Sequence, residues 1–587
     1  MAGSPKELVD HLDRLEDEAE VRKEETPLVD AEINTRFLRG QQWPSSEGPA
    51  SPYRPESAQY RFVMNVINQT LKRQVALLTD SRPQMDVVPR KRNRRGTASI
   101  YKTVTAAIWD EQNFEQLASR ELVRAGTVGS TICLPMWDET ADYGRGEIVF
   151  QMYDPRQFKV DPSVVHAVDV QRLAEFAMVR EVVPLNAVRE RYPKKGHEVQ
   201  PSVRWSRYGR RKVLSSGGAY RGIATAMQRP WKRRDDDSVD SMSPRAELRH
   251  SWFRDWPRDE RGTPLWTKPR HIRYVVDAEG VVLKDEPLRY LHGQLPAHMF
   301  DWDIEFEHPY GIPMVSGLRR LQYTLNRIVG QVMENVILTN RVKVIADTNA
   351  VDPKTWDAIT ANPNGIYIRK RQGHTFQYEL PSNVVPPYVV QVITLLLQAM
   401  DLVTGMTEAT SGKMPKGQNV SGAALDAMQI QAQSVIRLIA RAFENWLERI
   451  FQQVLALIYQ YYTTDRLLHL VGPGQEIMEF EFNRQKFIHG DDGAELPGDA
   501  WQDFEFRVLP GSSLSMTRIQ KGVMALNLYQ AGLIPGVDVL KAAEWANPDE
   551  TFERAQKEHA AGLGPGQRTS RKMVKLPGST RRQAIGV

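Results

Sequence analysis

Cysteine is almost absent from this chain, since Cys133 is the only one among 587 residues. A single cysteine excludes an intrachain disulfide and any zinc site built from several cysteines. Cys133 lies in the apolar run TVGSTICLPMW, which predicts a strand, so we expect a buried thiol and not a nucleophile. The histidines are scattered and form no H-E-x-x-H pattern, so no metal site and no cofactor is predicted.

Long apolar runs are also missing. A membrane-spanning helix needs roughly 18 or more consecutive apolar residues. The closest stretch, residues 384–406, is interrupted by Gln391, Gln398 and Asp401. The N-terminal segment is acidic and has no apolar core, unlike a secretory signal. These absences predict a protein that folds in a reducing cytosol and has no membrane partner.

A strong excess of one charge sign is absent as well. The 77 basic and 72 acidic residues leave a net charge of +5. A protein that coats DNA over its whole surface carries a larger basic excess, so any nucleic-acid contact should be local. The runs PRKRNRRG (89–96) and RPWKRR (229–234) lack the interleaved aromatics of single-strand stacking surfaces, which favours exposed loop faces over nucleic-acid sites.

The motifs of common enzymes are not found. No phosphate-binding G-x-x-x-x-G-K-[ST] occurs; SGKMPKG contains the Gly-Lys pair without the spacing or the hydroxyl residue. The acidic clusters at 235–237 and 491–492 are of the type that binds magnesium, but they lie in Gly-, Ser- or Arg-rich segments with no strand to fix their geometry. The sequence therefore predicts a protein that is not an enzyme.

The patterns that are present predict an α+β, predominantly helical chain of several folding units. Before residue 308 we expect helices over 7–25, 60–78 and 97–124, the last stopped by Gly126. The segments TVGSTICLPMW and GEIVFQMYDP predict a β-hairpin, and AEFAMVREVVP predicts a further strand. Residues 194–245, dense in Arg, Lys, Gly and Ser, predict a long or partly disordered loop.

Three helices dominate the centre of the sequence. The first has one apolar stripe from Leu318 to Val336 and an opposite polar face that includes Arg319 and Gln322. The second is nearly all apolar and begins after Pro386-Pro387. The third, residues 421–462, would extend about 63 Å. Its stripe lacks a clean heptad, which favours a packed core helix over a coiled coil.

Four motifs, taken in order, resemble portal proteins of tailed bacteriophages. They are FLRGQQW (37–43), MNVINQTL (64–71), DPRQFKVDP (154–162) and HPYGIPMVSGLRRLQYTLNRIVGQVMENV (308–336). The resemblance runs from about residue 30 to about residue 530. It implies a structural subunit with wing, stem, clip and short crown, which forms a ring, usually twelve-fold, around a DNA channel at one capsid vertex.

The resemblance also implies a layout and partners. The wing would cover 1–307, the stem helices 308–340 and 386–405 with the clip 341–385 between them, and the tunnel loop 406–420. A long wing helix with strands would cover 421–514, crown helices 515–561, and a disordered basic tail 562–587. The implied partners are double-stranded DNA, the terminase large subunit, the major capsid and scaffolding proteins, and a head–tail adaptor. The location would be the virion, after folding in the host bacterial cytoplasm.

Three groups of basic residues are the candidate sites. Lys413 and Lys416 lie on the flexible tunnel loop, where repetition around a ring would give a diffuse positive belt; an ordinary solvated loop is the alternative. In the clip, the candidates for contact with a partner or DNA are Arg341, Lys343, Arg369, Lys370 and Arg371, and a solvated hairpin face is equally compatible. The basic tail, expected to be ordered only on contact with a partner or DNA, contributes Arg568, Arg571, Lys572, Lys575, Arg581 and Arg582.

Two other functional hypotheses stand beside the portal one. A DNA-processing enzyme of the terminase or nuclease class would need the phosphate-binding loop that this sequence lacks. A head-completion or scaffold protein would bind DNA without forming a channel.

Overall fold

The structure is a computed structural model. It describes residues 5–23, 26–43, 62–79, 82–201, 203–205, 211–213, 244–255, 271–288, 290–339, 343–347, 352–360, 366–371, 387–405, 434–471, 477–489, 498–509, 525–526, 528–542, 551–553, 555 and 557. Helices and sheets both contribute to it, in agreement with the predicted α+β class.

The helices are α1 (Pro5–Lys23), α2 (Ala31–Leu38), α3 (Val66–Leu78), α4 (Arg95–Glu111), α5 (Phe114–Val128), α6 (Val170–Leu173), α7 (Leu185–Arg191), α8 (Met314–Thr339), α9 (Pro353–Thr360), α10 (Tyr388–Thr404), α11 (Ser434–Tyr461), α12 (Arg484–Ile488) and α13 (Gly536–Ala542). One-turn 3-10 segments lie at Pro27–Asp30, Arg92–Arg94, Ala167–Asp169 and Ala500–Asp503.

The strands are β1 (Met85–Pro89), β2 (Ser130–Asp138), β3 (Glu147–Tyr153), β4 (Phe158–Val160), β5 (Phe176–Pro184), β6 (Val203–Trp205), β7 (Arg211–Val213), β8 (Pro244–Asp255), β9 (His271–Ala278), β10 (Val281–Leu288), β11 (His298–Asp301), β12 (Lys343–Asp347), β13 (Ile366–Lys370), β14 (Arg466–Val471), β15 (Ile477–Phe482) and β16 (Phe504–Val508). The largest sheet has the order β10-β9-β8-β5-β4, with β6 and β7 attached beside β8. A second sheet has the order β11-β2-β3, and β1-β16, β12-β13 and β14-β15 are separate pairs.

The chain divides into two compact units. The first comprises Met1–Arg466 and Glu481–Leu514, and it contains the sheets and helices discussed below. The second comprises Leu467–Phe480 and Ser515–Val587. Within the second unit the described part of the predicted crown includes α13, and the Phe552 ring lies against Gly536 at its start.

The predicted β-hairpin is confirmed. β2 and β3 pair antiparallel, with Cys133 opposite Met152, and the Cys133 side chain is fully buried. Burial raises the pKa of the Cys133 thiol, which suits an inert core residue and not a nucleophile. β9 and β10 are joined by Glu279 and Gly280, both with positive φ, as a two-residue turn requires.

Helix α1 packs on the large sheet through an apolar face and a buried ion network. Leu8 and Leu12 are buried against strand residues, as the predicted amphipathic pattern requires. Beside them Glu16 accepts hydrogen bonds from Arg180 and Arg249 and pairs with Lys159 at 2.8 Å. Burial opposes ionisation of Glu16, but these cations outweigh it and hold the pKa of its carboxyl far below the usual range.

The prediction of one continuous helix over 97–124 is wrong. The structure has two helices, α4 and α5, separated at Asn113, whose φ of 47° is left-handed. Gly126, predicted as the stop, lies inside α5, where a Cβ would meet the Leu71 side chain at 2.4 Å. The helix ends instead at Gly129, whose φ of 107° favours glycine.

Two further boundaries differ from the predictions. The helix predicted from residue 60 begins at Val66, because the Asn65 side chain accepts a hydrogen bond from the Asn68 amide and caps it. In the predicted loop 194–245, strands β6 and β7 pair antiparallel, and β8 already begins at Pro244. Apart from residues 194–201, these strands and the start of β8, the segment lies outside the described residues.

The described part of the long helix, α11, has 28 residues and is about 42 Å long. Residues 421–433 of the prediction lie outside the described part of the chain. Trp446 and Phe451 are buried, and Phe114 lies 5.6 Å from the Phe451 ring and 6.4 Å from Trp446. This aromatic packing confirms the prediction of a packed core helix.

Candidate functional site

Helices α8 and α10, the predicted stem, pack against each other and against the body of the first unit. Val315, Leu318 and Leu325 of α8 share one buried cluster with Met400 of α10. Phe37 of α2 and Ile67 of α3 belong to the same cluster. The two helices that flank the insert are therefore joined at their body end by a common apolar core.

A buried polar network fixes α8 to the segment that precedes α3. Gln322 is fully buried; its amide nitrogen donates to the Met64 carbonyl at 2.6 Å and its oxygen accepts from the Val66 amide at 3.1 Å. Asn326, one turn later, accepts from the Met64 amide at 3.1 Å and from the Gln322 side chain at 2.9 Å. Because these buried groups form hydrogen bonds with one another and not with water, α8 is held at one axial position and one rotation relative to the segment before α3.

The same network reaches the FLRGQQW motif. Asn326 donates to the Gln42 side chain at 2.5 Å, and Gln42 donates to the Phe37 carbonyl at 2.9 Å and to Asn65 at 3.0 Å. Asn65 and Asn68 each donate to the Leu38 carbonyl, at 2.8 and 2.9 Å. Three of the four motifs that carried the sequence resemblance thus meet in this network, hereafter the joint, which comprises Gln42, Asn65, Gln322, Asn326 and the main-chain groups that they bond.

The end of α10 is fixed to the body separately. The Gln74 side chain of α3 donates to the Thr404 carbonyl at 2.8 Å. Gly405 follows with a φ of 67° and closes the helix in the left-handed conformation. The predicted tunnel loop, 406–420, therefore begins from an anchored helix end, but the loop itself lies outside the described residues.

An apolar surface of α10 has no partner within the described chain. Leu395 is 63% exposed and Leu402 is 79% exposed, and the other large exposed apolar residues of this helix are Tyr388, Val390 and Val403. On α8 the predicted stripe is buried at Leu318 and Leu325 but reaches 41% exposure at Val336. Apolar area of this extent is typical of a protein–protein interface.

The insert between α8 and α10, the predicted clip, is a β-α-β unit. Strands β12 and β13 pair in parallel, with Lys343 opposite Ile366 and Asp347 opposite Lys370, and α9 connects them. Lys343 and Lys370 therefore stand at opposite ends of the pair, about 13 Å apart along it. The structure does not bring Lys343 together with Arg369, Lys370 and Arg371, and Arg341 lies outside the described part of the chain.

One cation of the insert has a defined environment. The exposed Arg369 guanidinium stacks over the Trp356 ring of α9 at 4.6 Å, and the Tyr367 ring lies 6.3 Å from Trp356 edge-on. Arg371 is exposed beside them. Exposed arginines next to half-buried Trp and Tyr rings have the composition of protein-interface hot spots.

The other predicted site residues cannot be placed. Lys413 and Lys416 of the loop, and the tail residues Arg568, Arg571, Lys572, Lys575, Arg581 and Arg582, all lie outside the described residues. No group of metal-ligating side chains and no helix able to cross a membrane is found in the part of the chain that the structure describes.

Sequence reasoning missed the joint itself. It placed Arg319 and Gln322 on a polar face opposite the apolar stripe, whereas Gln322 is buried and Arg319 pairs with Asp30. The available signal was the spacing of Gln322 and Asn326, which are four residues apart and each follow a stripe leucine, Leu321 and Leu325, by one position. Amides next to an apolar stripe at helical spacing indicate a buried polar seam when a second segment covers them.

A second polar group, formed by the partly buried residues Asp301 and Arg449, lies where α11 packs on β11. Asp301 accepts a hydrogen bond from the Ser130 hydroxyl at 2.9 Å, and burial raises the pKa of its carboxyl to about 7 against the opposing effects of Ser130 and Arg449. Arg449 donates to the Met299 carbonyl at 2.9 Å, and burial lowers its pKa to about 10. These groups join β11 to α11 and to the start of β2.

Comparison with known proteins gives one strong match. The family model described as phage P22-like portal protein matches residues 12–573, nearly the whole chain. A search of the curated proteins found no match.

Proposed function

The chain belongs to the phage P22-like portal protein family, and on this premise we propose that it is the subunit of the ring through which DNA enters and leaves one capsid. The family is one of structural proteins and not of enzymes, and its members are located at the capsid vertex of the virion as an oligomeric ring.

The observation that carries the proposal is the joint that holds α8 and α10 on the body. A subunit that lines a conduit must present two helices at a fixed angle, since small rotations would add up around a closed ring. The buried Gln322–Asn326 network and the Gln74–Thr404 hydrogen bond fix the orientation of α8 and α10 at the end where they meet the body. We assign α8 and α10 to the stem and the β-α-β insert to the clip.

The remaining layout follows from this assignment. Residues 1–307 and 421–514, with α11, form the wing; 515–561 contribute a short crown; and 406–420 are the tunnel loop. Lys413 and Lys416 would then supply a diffuse positive belt that attracts DNA without gripping individual phosphates. The basic tail 562–587 would contact DNA or a partner.

The exposed apolar side chains of α10 support self-assembly. We propose that a second copy of the chain covers Leu395 and its exposed neighbours, and that repetition of this contact closes a ring of twelve subunits. Burying one large apolar side chain contributes about 1.5–3 kcal/mol, so several such contacts per subunit stabilise a ring.

The clip surface of Arg369, Trp356 and Arg371 supports docking of a protein. In this proposal it binds acidic groups of the terminase large subunit during packaging and of a head–tail adaptor afterwards. The wing would contact the major capsid and scaffolding proteins.

Electron microscopy of the purified full-length protein tests the proposal. We expect annular particles with a central opening wide enough for a DNA duplex. Monomers or open filaments under all assembly conditions would contradict the ring, and measurable ATPase or nuclease activity of the pure protein would contradict the structural role.

A further inference from the structure

The basic run 89–96 is largely exposed, as predicted, but hydrogen bonds and strand pairing hold its backbone in place. It forms a corner where β1 ends, a 3-10 turn follows at Arg92–Arg94, and α4 begins at Arg95. β1 is held by antiparallel pairing with β16, and the Arg90 amide donates to the Asp503 carbonyl at 2.7 Å. The run is therefore a fixed part of the first unit.

One arginine of the corner is an anchor and the other cations face solvent. Arg94 is 8% exposed and lies 3.7 Å from the Asp503 carboxylate, which also pairs with Lys91 at 2.9 Å. Arg90, Lys91, Arg92 and Arg95 are exposed. Arg90 and Arg92 have no carboxylate partner among the residues that the structure describes.

The electrostatics of the corner are strongly positive. Five cations lie in six consecutive positions, and the Asp503 carboxylate pairs with two of them, Lys91 and Arg94. Helix α4, which follows, has no side-chain N-cap and no acidic residue in its first turn, so the positive end of its dipole adds to the field. Anions with several closely spaced charges are the ligands that such a preformed field attracts.

The chemistry of the ligand follows from what surrounds the cations. No aromatic residue occurs in MDVVPRKRNRRG, and the nearby Tyr101 and Phe504 are buried, so the described corner offers no surface for base stacking. Arginine forks bind phosphate oxygens in pairs, and phosphates repeat along a duplex at a spacing that side chains of this length can span.

We propose that the corner formed by Arg90, Lys91, Arg92 and Arg95, hereafter the β1–α4 corner, binds the phosphate backbone of double-stranded DNA without sequence preference. This site is separate from the stem, clip and tunnel loop, and it goes beyond the proposed channel because it contacts DNA that is not being conducted. The inference does not depend on ring formation, which electron microscopy measures independently.

The test uses a relaxed, covalently closed duplex circle, which has no end to enter a channel. Binding by the full-length protein is measured by filter retention between 50 and 200 mM KCl. Each phosphate contact contributes about −0.9 to the slope of log K against log salt concentration. We expect the slope of Arg90→Ala/Arg92→Ala to be less negative than that of the wild type by about 1.8. The wild type should then lose on the order of tenfold more affinity than the variant between 50 and 200 mM KCl.

The matched control removes the same charge elsewhere. Arg145 and Arg172 are equally exposed arginines, each 3.8 Å from a neighbouring carboxylate. We expect Arg145→Ala/Arg172→Ala to leave the slope unchanged. An unchanged slope in the corner variant, or an equal decrease in both variants, would overturn the proposal. So would a corner variant that loses poly-L-glutamate binding but keeps its DNA slope, because the corner would then be a protein-docking surface.

Discussion

At the scale of single residues, the amide side chain of Gln322 has the most demanding position. It is buried and bonds to main-chain groups on both sides of Asn65. Removing one partner from a buried hydrogen bond costs about 1–3 kcal/mol, because the group left behind is neither solvated nor paired.

We therefore expect Gln322→Met, which keeps the size of the side chain, to lower the free energy of unfolding by about 2–4 kcal/mol, since the Met64 carbonyl and the Val66 amide both lose a partner. Denaturant unfolding followed by circular dichroism measures the change. Gln331→Met on the exposed side of the same helix is the control and should cost less than about 0.5 kcal/mol. Equal effects of the two substitutions would contradict the assigned role of the joint.

Asp301 gives a prediction with a defined sign. Its pKa is raised from 3.8 to about 7 in the folded state, so the folded protein binds a proton more tightly than the unfolded chain. This group therefore favours folding below about pH 4 and loses that contribution as the pH rises through 7. We expect Asp301→Asn, which keeps the acceptor for Ser130, to raise the Tm relative to wild type more at pH 8 than at pH 5. Thermal unfolding at the two pH values measures this, and a Tm difference independent of pH would contradict it.

At the scale of elements, strongly periodic segments were predictable and junctions were not. The helix α8 follows from the period of its apolar stripe, and the hairpin of β2 and β3 follows from two apolar runs on either side of a turn-rich segment. Both predictions were confirmed. The break at Asn113 was missed because its left-handed conformation is fixed by the packing of Phe114 and Trp109, residues that a periodic pattern treats as one continuous face. The joint was missed for the same reason, since the partners of Gln322 lie more than 250 positions away.

Helix α10 carries the prediction that belongs to this scale. We expect Leu395→Glu to prevent ring formation while the subunit still folds, because a carboxylate in an apolar interface is not solvated. Size-exclusion chromatography with light scattering measures the assembly state. Leu173→Glu, at a similarly exposed leucine of α6, is the control and should assemble normally. If Leu395→Glu still forms rings of normal size, α10 is not part of the interface between subunits.

At the scale of the whole molecule, function depends on copies acting together. The nearly full-length family match makes the chain a structural subunit of an oligomeric ring. The positive charge proposed for the tunnel loop becomes large only when each subunit contributes its two lysines.

Replacing both Lys413 and Lys416 by Glu should leave annular particles intact but reduce DNA packaging or retention, because the belt would then repel phosphate. Packaged-genome yield in virions that carry the variant measures the effect, with Lys413→Gln/Lys416→Gln separating loss of attraction from repulsion. A normal yield for the Glu variant would exclude these lysines from DNA passage.

The hydrogen bonds of Gln322 also constrain how the sequence can drift over evolution. Its partners at positions 64, 66 and 67 are main-chain groups, which every amino acid except proline supplies in full. The network therefore sets no requirement on the side chain at 64, while it requires the amide at 322 and a residue other than proline at 64, 66 and 67. The Val66 side chain also packs against the apolar cluster, so its size is constrained separately. A saturation library over these positions should show the difference directly. Many side chains should be tolerated where only the main chain bonds to Gln322, whereas substitutions of Gln322 itself should not be tolerated.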